Sequence, residues 1–239
     1  MNGTKTYYIQ PLKDSGIPIK SNASLPTTQE HDYVSAVFVR LLQPIADLCD
    51  QMLRLSSGEP NEVQTSPREN GYAISIIALA AFLLEGACGR VRYVSGWNQK
   101  QCSPAATLRH FGANDLADRV EEIFVVRDAI AHAHLWTAKI SWTENNLRFA
   151  QQPVQLPGYG NKKFRRIVDP DSRTTRQLKL DVFPTRIHRR TAIVVLKECA
   201  KALQFLESKD RRFVHLAPHD VSFGGKLVPF YNWVRGLAT

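Results

Sequence analysis

Apolar residues recur along much of the chain at steps of three and four, the spacing of one buried face of an α-helix. Over His31–Leu55 the stripe is Val34, Val37/Phe38, Leu41, Ile45, Leu48 and Met52, with Pro44 expected to kink or divide the helix. A polar linker, Glu59–Arg68, leads to a second helix over Glu69–Val94. Its segment Ala73–Ala81 is apolar on nearly every side, which predicts the most buried helix of the protein. A third helical region covers Pro104–Trp136 and is expected to break at Gly112–Asn114. In its second part, Asp115–His134, one stripe runs Leu116, Val120, Ile123, Arg127, Ile130 and His134. Two of those six positions are ionisable, a departure that calls for an explanation.

Beyond Leu135 the helical period is lost. Thr137–Trp142 and Asn146–Gln152 alternate or carry β-formers around Glu144-Asn145-Asn146, the pattern of a hairpin. Lys162-Lys163-Phe164-Arg165-Arg166 follows, then Leu178–Phe183 as an expected strand and Arg186–Ser208 as a fourth helix. The fold class is therefore mainly α: a four-helix bundle over residues 31–210, with a β-rich basic insertion at 137–185 between the third and fourth helices. Residues 1–30, rich in Thr, Ser, Pro and Gly, read as an extended arm. Residues 211–239 read as an irregular tail packing on the bundle.

Charge sharpens this picture. The 239 residues carry a net charge of +9, unevenly spread. Residues 1–160 hold 14 basic and 15 acidic side chains, whereas residues 161–239 hold 17 and 7. The excess lies wholly in the last third, which suggests a surface facing a polyanion, with nucleic acid ahead of a membrane. The competing reading is a solvated basic face. Lys162, Lys163, Arg165 and Arg166 around Phe164 would combine phosphate attraction with base stacking, as single-stranded RNA requires, unless they form a solvated loop. Cations at Arg186, Arg189 and Arg190 oppose the dipole of the fourth helix and call for an anion: a phosphate, Asp181 or water.

The longest apolar stretch, Ala73–Leu84, has twelve residues, too few to span a bilayer, and Met1–Gln10 lacks the apolar core of a secretory signal. Cys49, Cys88, Cys102 and Cys199 form no C-x-x-C pair. Reduced thiols and a cytoplasmic protein without membrane contact are expected. His215 and His219 have ligand spacing, but Pro218 breaks any helix there and no third ligand is evident. Neither a metal nor a cofactor is implied. No helix-turn-helix signal supports a DNA-binding regulator.

The best candidate chemistry is Arg127-Asp128-Ala129-Ile130-Ala131-His132. An Arg in an apolar seam is costly unless a charge partner or ligand meets it, and a phosphate satisfies a guanidinium through two parallel hydrogen bonds. Imidazole moves protons near neutral pH. Together they offer what metal-independent RNA cleavage needs: a base for the 2′-hydroxyl and a cation for the pentacoordinate phosphate. On an ideal helix Arg127 and His132 point about 140° apart, so a change at the helix end or a second copy of the chain is needed to converge them. Asp128 and His132 share a face at i,i+4, so Asp128 can orient the imidazole. His134 shares a face with Arg127 and offers an alternative base. In the competing reading Arg127 caps the helix end or makes a structural ion pair, and His132 is an ordinary core or surface histidine.

Arg127 and His132 match the R-x4-H form of the motif of HEPN ribonucleases, and the chain resembles that family over about residues 31–136 and 186–208. The motif's place, at the end of the third helix of a four-helix bundle, is similar too. Family members commonly have Asn directly after the Arg; here it is Asp128. They also commonly carry an acidic or polar residue on the preceding helix. Glu85 is the matching candidate and would pair with Arg127. The resemblance implies a metal-independent endoribonuclease with a composite active site across a homodimer. A toxin–antitoxin or antiphage-defence setting, with an antitoxin or other regulatory partner, follows from the same resemblance. The alternative is a non-catalytic HEPN-like RNA-binding or scaffold subunit that leaves RNA intact.

Overall fold

Ser66 opens the longest helix of the chain, accepting a hydrogen bond from the backbone N–H of Glu69 at 3.3 Å, with Pro67 at the first helical position. A computed structural model describes residues 9–11, 33–56, 61–97, 102–131, 136–143, 146–155 and 162–238. The described protein is mainly helical. Its helices are α1 (Leu42–Leu53), α2 (Pro67–Val94), α3 (Pro104–His110), α4 (Asn114–Ala131), α5 (Lys162–Ile167), α6 (Arg189–Lys209) and α7 (Phe230–Gly236). Four two-stranded antiparallel sheets accompany them: β1 (Ile9–Pro11) with β2 (Tyr33–Ser35), β3 (Trp136–Thr143) with β4 (Asn146–Gln155), β5 (Val168–Asp169) with β6 (Thr174–Thr175), and β7 (Asp220–Phe223) with β8 (Lys226–Pro229).

Helix α2 is the centre of the core. It packs against α1, α3, α4 and α6, and Ala73, Ile76, Ile77, Ala80, Leu83, Leu84 and Ala87 are fully buried. By length and composition α2 could cross a membrane, but its apolar residues here form the interior of a helical assembly. Gly86 lets a neighbouring turn approach closely: a Cβ there would lie 2.9 Å from the Cβ of Phe38.

Three expectations need correction. The continuous helix over His31–Leu55 is instead strand β2, a 3-10 turn at Val37–Leu41 and then α1. β-branched Val34 and aromatic Tyr33 suit a strand, and β2 finds its partner in β1, more than twenty positions earlier in the sequence. The expected division near Pro44 is found at Leu41/Leu42, where the 3-10 turn gives way to α1 and Pro44 takes a place in the first turn, where its missing N–H is not needed. The basic stretch of the insertion is helical, not β: Phe164 and Ile167, three apart, are buried and seat α5 against α4. Finally, Leu178–Phe183 forms no ladder. Leu180 and Val182 do point inward, but Lys179 has φ +54° and only Asp181 bridges, to Thr174.

The hairpin β3–β4 spans slightly more than the expected strands, with Trp142 opposite Leu147 and Ile140 opposite Phe149. Its base is anchored by aromatic contacts of Trp136 with Phe164 and Phe183, at 6.3 and 5.7 Å between ring centroids. The tail returns to the helices. Gln43 of α1 exchanges two hydrogen bonds with the backbone of Ser222 in β7, and α7 packs on α6 through buried Phe230, Trp233 and Val234.

Candidate active site

Helices α2 and α4 pack through their apolar faces, which turns the two polar interruptions of those faces toward each other. Arg127 Nη2 donates to Glu85 Oε1 at 2.9 Å, and Arg127 Nε lies 3.3 Å from Asp128 Oδ1. That Nε is buried and has no hydrogen-bond partner among the described residues. The guanidinium carbon stands 5.1 Å from the ring centroid of Phe124, one turn earlier on α4. These groups line an open cleft of about 380 Å³ together with Arg92, Ser103 and Lys163.

The cleft thus gathers three cations (Arg92, Arg127 and Lys163) and two carboxylates (Glu85 and Asp128). Glu85 and Asp128 retain 38% and 26% side-chain exposure and Arg127 21%, so the ion pair borders solvent and an incoming anion can reach it. A guanidinium that keeps 21% exposure, beside two further cations, is a donor set for a phosphate oxygen.

Of the residues singled out from sequence, Glu85, Arg127 and Asp128 come together. His132 and His134 lie outside the described residues. The four basic residues of α5 do not act as one patch: Lys163 reaches the cleft, Lys162 is exposed, Arg165 lines a different cavity, and Arg166 pairs with Glu121 at 2.7 Å. Phe164 is 4% exposed and therefore unavailable for stacking on a base.

Arg92 escaped sequence reasoning. The available signal was its spacing, seven residues or two turns after Glu85 on the same helix face. Its Nη1 donates to the carbonyl oxygen of Cys102, which holds the start of α3 against the cleft.

The anion required by the cations at the start of α6 comes from the chain itself. Buried Glu69 accepts from the backbone N–H of Arg189 at 3.0 Å and from its Nε at 3.1 Å. Asp181 lies 3.5 Å from Arg186 Nε and 3.4 Å from His188 Nδ1. The hydrogen bond to Asp181 raises the pKa of His188 above its ordinary 6.5, against the opposing effect of burial. A raised histidine pKa adds stability that is complete below the unfolded-state value near 6.5 and is lost as pH rises through the folded-state value. Proton NMR titration should find His188 titrating above pH 6.5, and wild type should lose stability relative to His188→Gln as pH rises through that value. A wild-type advantage independent of pH would contradict the pairing.

Other chemistries fit less well. Burial pushes the Cys49 and Cys88 thiols up to about 12, and Cys199 is raised further, so none offers a thiolate near neutral pH. Among the described residues no group of three or more His, Cys, Asp or Glu side chains is arranged to hold a metal ion. Comparison of the chain with protein-family models, curated proteins and solved structures finds no match.

Proposed function

We propose that the protein is a metal-independent endoribonuclease of the HEPN type, with its active site in the cleft at Glu85 and Arg127. The observation that carries this reading is Arg127: a guanidinium in the seam of α4, paired with Glu85 across two helices and partly exposed to an open cleft that holds two further cations. In the proposed reaction His132 takes the proton of the 2′-hydroxyl as that oxygen attacks the adjacent phosphorus. The bond to the 5′-oxygen breaks, and the leaving oxygen takes up a proton. Arg127, with Lys163 and Arg92 nearby, stabilises the negative charge on the non-bridging oxygens. Glu85 fixes the guanidinium, and Asp128, at i,i+4 from His132, orients the imidazole. A homodimer with a composite site would supply the convergence that one helix cannot. On this reading the protein works in the cytoplasm as a toxin or antiphage effector, held in check by an antitoxin or other regulatory partner. Lys162, Arg165 and Arg166, outside the cleft, would steer RNA by charge.

A second reading has a specific support of its own. Glu85 and Asp128 already offset the charge of Arg127, as in a structural ion pair of a non-catalytic RNA-binding or scaffold subunit. Incubating total RNA in excess EDTA with wild type and with His132→Ala separates the two. The nuclease reading expects new RNA ends with wild type and none with His132→Ala. Intact RNA in both, or equal cutting by both, rejects it.

A further inference from the structure

A cavity of about 810 Å³ lies apart from the cleft at Arg127, between the β3–β4 hairpin, α5 and the segment after it. Its wall is mainly apolar and includes Trp136, Val154 and Phe164, while Arg165, Arg176 and Asp171 stand at exposed positions around it. The indole N–H of Trp136 is buried and has no hydrogen-bond partner among the described residues. Arg176 is held in place, its Nε donating to the carbonyl oxygen of Arg166 at 3.0 Å. Arg165 makes no ion pair among the described residues, and two guanidinium groups against one carboxylate leave the rim positive.

Two features narrow the occupant. A bare inorganic anion would use the arginines but leave the apolar wall unanswered. An alkyl carboxylate would cover the wall, yet its single charge meets two guanidinium groups that together suit a phosphate. A flat aromatic ring joined to a phosphate satisfies both: the ring against Trp136 and Val154, the phosphate for Arg165 and Arg176. The geometry points to a nucleotide-binding pocket in the insertion. Its occupant is a free nucleotide or one unpaired nucleotide of an RNA strand. Helix α5 forms a wall between the two sites, with Lys163 on the cleft and Phe164 and Arg165 on this cavity. A strand crossing α5 could therefore reach both. Nucleotide binding here neither requires nor implies cleavage at Arg127.

Calorimetric titration of the full chain tests the pocket, with AMP, GMP, CMP, UMP, a single-stranded RNA hexamer and inorganic phosphate as separate probes. Saturable binding of a mononucleotide, tighter than that of phosphate, is expected and identifies a free nucleotide as sufficient. Binding of the hexamer alone identifies an RNA nucleotide instead. Either must weaken by at least about tenfold in the Arg165→Ala/Arg176→Ala double variant, because two charge-assisted contacts are lost. It must weaken similarly in Val154→Trp, which crowds the mouth from a position 63% exposed and so leaves the core untouched. Lys226→Ala, an exposed cation on β8, must leave it unchanged. No saturable binding of any nucleotide or hexamer, phosphate binding as tight as the nucleotides, or binding unaffected by the double variant and Val154→Trp overturns the assignment. RNA cleavage is not the readout, so failure of the nuclease reading and failure of this pocket give different results.

Discussion

Arg127→Ala is expected to lower RNA cleavage by about 10²–10³-fold, the usual effect of removing one donor from a transition-state charge. Folding should change little. Both carboxylate partners keep contact with solvent, at 38% exposure for Glu85 and 26% for Asp128, so water can replace the guanidinium around them. The loss of stability should stay within about 1–2 kcal/mol, near the range of ion pairs that border solvent. Arg127→Lys should fall between wild type and Arg127→Ala in activity, since it keeps the charge but loses the two-pronged geometry that suits a phosphate. The assay is cleavage of end-labelled RNA, read beside thermal unfolding of each variant. Loss of cleavage together with collapse of the fold would make Arg127 a structural residue.

Glu69→Ala should have the opposite profile, a large cost in stability. Glu69 is 3% exposed, and its two oxygens accept from the backbone N–H, Nε and Nη2 of Arg189. It ties the start of α2 to the start of α6, helped by Asn70, whose side-chain amide donates to the carbonyl oxygens of Pro184 and Ile187 at 2.8 Å. Removing the carboxylate leaves a helix-start N–H and a half-buried guanidinium, 20% exposed and still donating to the carbonyl oxygen of Leu55, without their anion, at a cost of about 3 kcal/mol, the lower end for a broken buried pair. Urea unfolding should show that loss, with Glu69→Gln intermediate because its amide oxygen can still accept from the backbone. An effect of Glu69→Ala below about 1 kcal/mol would mean that the network does not hold α2 and α6 together.

These two acidic residues also mark what periodicity reveals and what it hides. Glu85 and Arg127 were legible because the first interrupts the apolar run of α2 and the second the apolar stripe of α4, and a polar residue in a seam needs a partner. Arg189 carried a weaker mark, a cation against the dipole of its helix, but its partner did not: Glu69 stands at a helix start, where an acidic residue is ordinary, and the two meet only through packing across 120 positions of sequence. The same limit explains the strand β2. Its partner β1 lies beyond any helical window, so Val34 and Val37 read as part of a longer stripe. Helix α5 is six residues long, too short for the period to declare itself, although the apolar pair Phe164 and Ile167 was its trace. Helices α2, α4 and α6 were readable because each repeats its period over several turns.

The most direct test of the account is the chemistry of the ends that the protein leaves on RNA in excess EDTA. Attack by the 2′-hydroxyl, with Arg127 on the phosphate and His132 moving the proton, produces a 2′,3′-cyclic phosphate and a 5′-hydroxyl at every cut. Mass spectrometry of the fragments, with ligation assays specific for each type of end, reads both. Wild type is expected to leave cyclic phosphate and 5′-hydroxyl ends. Fragments ending in a 3′-hydroxyl with a 5′-phosphate, or no fragments at all, would contradict it.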